Sequence, residues 1–138
     1  MQYLLLIYGN ESQFDKMSPT EQNKILQEYG EFSNSIAGSG HLRGGNELDR
    51  ISKAKTVRVR QGKRSVLDGP FAETKEQLAG YYVLDCENIE EAIQWAARIP
   101  TSCGGALGSI EIRELVEFPH VPESILKPHR VPATSAAG

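Results

Sequence analysis

The sequence predicts an α+β domain of the ferredoxin-like, split βαβ kind, with an antiparallel sheet and two helices on one face. Three observations predict it. Residues 3 to 8 are almost unbroken apolar sequence, two later segments place apolar residues at helical spacing behind a capping residue, and short strand-like segments lie between and after them. The order reads β-α-β, hairpin, β-α-β.

Tyr3-Leu4-Leu5-Leu6-Ile7-Tyr8 reads as a strand covered on both faces, hence mid-sheet. Ser18-Pro19-Thr20-Glu21 is a capping box with proline at the first helical position, so Ser18 and Glu21 can satisfy each other's free backbone N–H groups. From Pro19, the residues Ile25, Tyr29, Phe32 and Ile36 fall at i, i+4, i+7 and i+11, one stripe to lay on a sheet; Gly38 or Gly40 can end the helix. After the glycine-rich stretch His41-Leu42-Arg43-Gly44-Gly45, Val57 and Val59 alternate with Arg58 and Arg60. Gln61-Gly62-Lys63 then turns the chain back through Ser65 to Leu67, a hairpin. Gly80 to Cys86 is short, aromatic and branched, which suits a central strand. Asn88 with Glu91 repeats the capping logic, and the stripe Ile89, Ala92, Ile93, Ala96, Ile99 predicts a second helix that Pro100 stops. Ile110 and Ile112, alternating with Glu111 and Arg113, give the last strand.

With both helices on one side, the other sheet face needs a cover, and a second copy of the chain is the simplest, so a homodimer is expected. Residues 1–118 form the predicted domain; 119–138 carry Pro119, Pro122, Pro128 and Pro132 and read as a proline-rich C-terminal arm, with Ile125 and Leu126 as its anchors if it is ordered.

At 138 residues with 39% hydrophobic and 24% charged residues, the chain is expected to fold around one core. A net charge of -3 gives no general attraction to nucleic acid or anionic lipid. Seven of the 15 basic residues do cluster between Arg50 and Arg64, but their alternation with valine and the lack of stacking aromatics make that stretch a solvated hairpin edge. The apolar start is too short for a membrane span or signal peptide, so the setting is read as cytoplasmic and Cys86 and Cys103 as free thiols. Asn10-Glu11-Ser12 fits the glycosylation sequon but has no secretory signal to give it a role. His120 and His129 stand nine residues apart with no zinc-like spacing, and Gly104-Gly105-Ala106-Leu107-Gly108 lacks the Lys-Ser/Thr of a phosphate loop. No metal and no cofactor are expected.

Candidate chemistry centres on residues 68–76. Asp68, before Gly69-Pro70, is a carboxylate held at a strand end, which suits either a site residue or an acceptor of local backbone hydrogen bonds. Glu73, Thr74 and Lys75 follow, with Phe71 and Leu78 as apolar flanks, a set able to bind a small molecule or to lie as plain solvated surface. His41, just beyond the first helix, is placed to enter a cleft beside Asp68 and supply the imidazole that the helix lacks, or to lie as plain surface.

The run Asp68-Gly69-Pro70-Phe71-Ala72-Glu73-Thr74-Lys75-Glu76-Gln77-Leu78 resembles the signature of DGPF-domain proteins, a branch of the YCII-related family. Tyr3 to Gly9, Trp95 to Pro100 and Glu111-Ile112-Arg113 extend the resemblance over about residues 1–118. It implies a ferredoxin-like fold that dimerises into an α/β barrel, with a cleft in each subunit. Distant relatives are thought to use a helix-1 histidine facing an aspartate; this chain has no histidine there, and Tyr29 is the nearest counterpart. The resulting expectation is a small-molecule-binding protein or enzyme using a cleft near the DGPF loop. Asp68, His41 and Tyr29 are its catalytic candidates, and Phe71, Glu73, Thr74 and Lys75 its substrate-binding ones. The alternative is a non-catalytic accessory or regulatory protein linked to extracytoplasmic-function sigma factor signalling, which the resemblance implies through gene context.

Overall fold

The computed structural model describes residues 1–103 and 108–116. In chain order these form β1 (Gln2–Gly9), α1 (Glu11–Lys16), α2 (Pro19–Gly38), β2 (Leu42–Glu47), a 3-10 turn (Ile51–Lys53), β3 (Lys55–Arg60), β4 (Lys63–Asp68), β5 (Gln77–Asp85), α3 (Ile89–Ala96), α4 (Pro100–Cys103) and β6 (Gly108–Glu114). The main sheet runs β2-β5-β1-β6 with every pair antiparallel, and β3-β4 is a separate hairpin. This is the split βαβ order the sequence predicts.

The core lies between the helices and one sheet face. Tyr3, Leu5 and Ile7 of β1 and Leu84 of β5 point into it, meeting Phe32 and Ile36 of α2 and Ala92, Ala96 and Ile99 from the α3 region. The small side chains of Ala92 and Ala96 let α3 approach the sheet closely. The remaining β1 residues Leu4, Leu6 and Tyr8 are half-buried on the opposite face, where no described helix lies.

Helix α2 starts as read: Ser18 Oγ accepts from Glu21 N at 3.2 Å and donates to its carboxylate at 3.1 Å. Removing that cap by Ser18→Ala is expected to cost about 0.5–2 kcal/mol. A urea midpoint that falls with an unchanged slope would show it.

Four details differ from the sequence reading, each for a local reason. The glycine-rich stretch is edge strand β2, because an edge position needs one hydrogen-bonded side only; the hairpin that was expected to follow directly stands apart from the main sheet. Asn10, dismissed with its sequon, caps α1 by accepting from Gln13 N at 3.0 Å. Helix α3 ends at Ala96, before Pro100, and Pro100 instead opens α4, where a missing N–H costs nothing. Ile89 and Ile93, read as part of the buried stripe, are 40% and 50% exposed, so only the Ala92-Ala96-Ile99 edge faces the core. Residues 104–107 of the expected Gly104–Gly108 turn lie outside the described residues, as does the arm with its two histidines and anchors; Gly108 opens β6.

Candidate functional site

Two strand glycines open a cleft on the helix side of the sheet. Gly80 of β5 sits opposite Ile7, and Gly45 of β2 sits opposite Tyr82, both at positions whose side chains would point towards α2. A Cβ at Gly80 would lie 2.8 Å from Asn46 O, and one at Gly45 would lie 2.9 Å from Tyr81 O. The strands therefore close up at glycine, and space remains above them. The cleft has a volume of about 560 Å³, within the usual range for small-molecule sites.

Its walls are mostly apolar: Ile7 on the floor, with Phe14, Met17, Ile25 and Leu26 from α1, α2 and the link between them. Gln22 fixes α1 against α2 by donating to Phe14 O at 2.8 Å and Met17 O at 3.4 Å. A few hydroxyls interrupt the apolar surface. Tyr29 Oη and the buried Thr101 Oγ1 hydrogen-bond to each other, and Ser33 Oγ lies 3.4 Å from Tyr82 Oη. At the mouth Arg50 donates to both Asp15 carboxylate oxygens at 2.7 Å, with Glu11 Oε1 3.8 Å from its Nε. Asp15, hydrogen-bonded beside it, raises the guanidinium pKa further. Because Glu47 also lines the cleft and Arg50 is already paired, the site carries no free cation among its described residues and is not built for an anion.

The residues singled out in the sequence do not converge on this cleft. Tyr29 is in it, on the α2 wall. Asp68 ends β4, ion-paired with Lys55 across the hairpin, its side chain 84% exposed. There the Asp-Gly-Pro sequence closes the hairpin: Gly69 N donates to Ala54 O at 2.7 Å and Thr56 Oγ1 to Gly69 O at 2.9 Å. Gly69 has φ +95°, which a residue with a Cβ resists. Phe71 is 79% exposed and Glu73 is exposed. Thr74 and Lys75 border a shallow hollow on the other sheet face with Tyr8, Ser109 and Glu111.

His41 stands at a third place. Its Nδ1 donates to Asp85 O at 2.8 Å and lies 3.5 Å from Glu91 Oε1, with the Trp95 ring 5.9 Å away. The buried Cys86 thiol is beside them; burial, then the neighbouring Glu91, pushes its pKa up. A cleft joining Asp68, His41 and Tyr29 is therefore not what the described residues form: β4 leaves the main sheet, and β2 starts at the end of β5 remote from Gly80.

Sequence reasoning missed Gly45, Gly80, Tyr82, Arg50 and Thr101. An interior strand glycine such as Gly80 is a readable sign of close approach, but which face it leaves empty depends on register.

A family model described as the YCII-related domain matches residues 1–119. The chain belongs to the YCII-related family. An uncharacterised protein of Rhizobium meliloti (strain 1021) is 33% identical over 118 residues, covering 86% of this YCII-related chain and 94% of its own. Among solved structures, 5-chloro-2-hydroxyhydroquinone dehydrochlorinase from Burkholderia phenoliruptrix AC1100, in complex with 2,5-dihydroxybenzoquinone, superposes with a TM-score of 0.51 at 9% identity. That match covers 87% of this chain and 98% of the other, and at such identity it speaks for the fold. No described helix is long and apolar enough to cross a membrane.

Proposed function

We propose that this YCII-related protein binds a small, uncharged, hydroxylated ring compound in the glycine-floored cleft, and does so as a homodimer in the cytoplasm. The observation that carries the reading is the Tyr29–Thr101 hydroxyl pair set among the apolar walls of a cleft that Gly80 and Gly45 also line. Apolar walls favour a ring face, while paired hydroxyls can exchange hydrogen bonds with ring oxygens as donors or acceptors. An anion would meet Glu47 and an already neutralised Arg50. The fold neighbour, an enzyme in complex with a dihydroxylated quinone ring, makes that ligand class a reasonable first panel. Tyr29 is the group placed to touch the ligand's oxygen. Half-buried Leu4, Leu6, Tyr81 and Val83 on the sheet face away from the described helices support the dimer, and the buried free thiol of Cys86 suits a reducing compartment.

The test is a thermal-shift and calorimetric titration with hydroxylated benzoquinones and hydroquinones. A ligand at a hundred times its Kd stabilises the folded protein by about 2.7 kcal/mol. Leu26, 58% exposed at the cleft, can be made Trp without disturbing the core. The expected result is a shift that disappears in Leu26→Trp and weakens roughly tenfold in Kd in Tyr29→Phe, as for one lost hydrogen bond. Equal binding by wild type and Leu26→Trp would place the ligand elsewhere, and the cleft reading would fall.

A further inference from the structure

The YCII-related match and the cleft leave one cluster unused. The potential ligand atoms of His41, Cys86 and Glu91 all lie within 4.8 Å of one another. We propose that these three residues form a binding site for one zinc-type divalent transition-metal ion per chain.

The three donors come from separate elements that the fold locks together. His41 precedes β2, and Asp85 N donates to its carbonyl at 2.8 Å, continuing the β2–β5 ladder. Cys86 follows β5, with its N–H donating to Met1 O at 2.9 Å. Glu91 sits in the first turn of α3, placed by the Asn88 cap and by Glu87 N, which donates to Glu91 Oε1 at 3.2 Å. Little ordering remains for an ion to impose.

Spacing and chemistry agree. With zinc bonds near 2.0–2.3 Å, neighbouring donors of a tetrahedral ion lie roughly 3.3–3.7 Å apart. His41 Nδ1 and Glu91 Oε1 are already 3.5 Å apart, and the whole set needs contraction of about 1 Å. One imidazole, one thiol and one carboxylate make a borderline set that suits Zn²⁺ or Co²⁺ and disfavours Mg²⁺ and Ca²⁺, which take oxygen. The Asp85 carbonyl, 2.8 Å from Nδ1, is available as a fourth donor, with water as the alternative. Binding replaces the thiol proton, which leaves to solvent, and moves the imidazole hydrogen from Nδ1 to Nε2. Thiolate and carboxylate then balance the dication. Access runs past His41 and Glu91, whose side chains are each 29% exposed, while Cys86 is 2% exposed.

Chelator-treated full-length protein titrated with Co²⁺ under reducing conditions tests this. Thiolate-to-cobalt charge-transfer absorption saturating at one ion per chain is expected, with Zn²⁺ displacing it. Cys86→Ser should abolish the band, Cys103→Ser should leave it, and His41→Ala and Glu91→Gln, both on half-exposed side chains, should each weaken binding tenfold or more. These last two keep the test open if Cys86→Ser folds poorly. No band in the wild type, a band that follows Cys103, or unchanged affinity in both half-exposed variants overturns the site. Because the cleft titration reads variants at Leu26 and Tyr29, and the cobalt titration reads variants at His41, Cys86 and Glu91, failure of one reading leaves the other standing.

Discussion

Phe32→Ala is expected to lower the unfolding free energy by about 3–5 kcal/mol, the usual cost of emptying a large aromatic site in a core. Phe32 is 5% exposed and central to the contact between α2 and the sheet. Its ring centroid is 5.5 Å from that of Tyr82 and 6.1 Å from that of Trp95, the second contact edge-on at 78°. Such ring pairs add about 0.5–1.5 kcal/mol beyond area burial. Against a total stability of about 5–15 kcal/mol, the loss is a large share, and the melting temperature should fall by roughly 10–15 °C. The variant should also loosen Tyr82, a cleft residue, so ligand binding should weaken along with stability. Urea unfolding with an unchanged slope gives the energy directly. A loss under about 1 kcal/mol would mean that the three rings do not pack as a unit.

Phe32 was legible in the sequence because helical period makes burial a local property: once Ser18 sets the start of α2, the positions of Ile25, Phe32 and Ile36 follow. The same logic gave β1, β5 and β6 and the cap of α3. What failed was non-local. Leu42 to Glu47 has the composition of a loop, and only its pairing with β5 makes it a strand. Asp68 was a sound candidate by rigidity, yet its partner Lys55 is brought to it across a hairpin that stands apart from the main sheet. Tyr29 was placed on the right helix, but nothing local reveals Thr101 as its partner. The His41-Cys86-Glu91 cluster was hidden for the same reason: 45 residues separate the first two, and the β2–β5 register alone unites them. Metal spacing rules detect ligands close in sequence and are blind to this arrangement.

A charge at Leu6 is expected to give the second large effect, on assembly. On the face away from the described helices Leu6 stands opposite Tyr81 and Leu4 opposite Val83 across the β1–β5 ladder, with Glu111 and Arg113 of β6 beside them. Those four apolar residues form one continuous patch, half-buried within a single chain and flanked by charge. Alternation along a strand normally leaves such a row polar when it faces water. An apolar row here fits a two-fold contact in which the same patch serves both subunits. Wild-type protein should sediment at about twice the 15.2 kDa chain mass. Leu6→Glu sets one carboxylate in each half of that contact, and an uncompensated buried charge costs about 3–5 kcal/mol, roughly a hundredfold or more in Kd. Because Leu6 faces away from the helix-covered core, the variant should keep its circular dichroism and sediment as a folded monomer. A wild type that is monomeric at tens of micromolar, or a Leu6→Glu variant that remains dimeric, would show that the second copy does not sit on this face. The cleft opens on the opposite side of the sheet, so the monomeric variant should still bind the cleft ligand. Measuring both properties on Leu6→Glu thus separates assembly from binding in one protein.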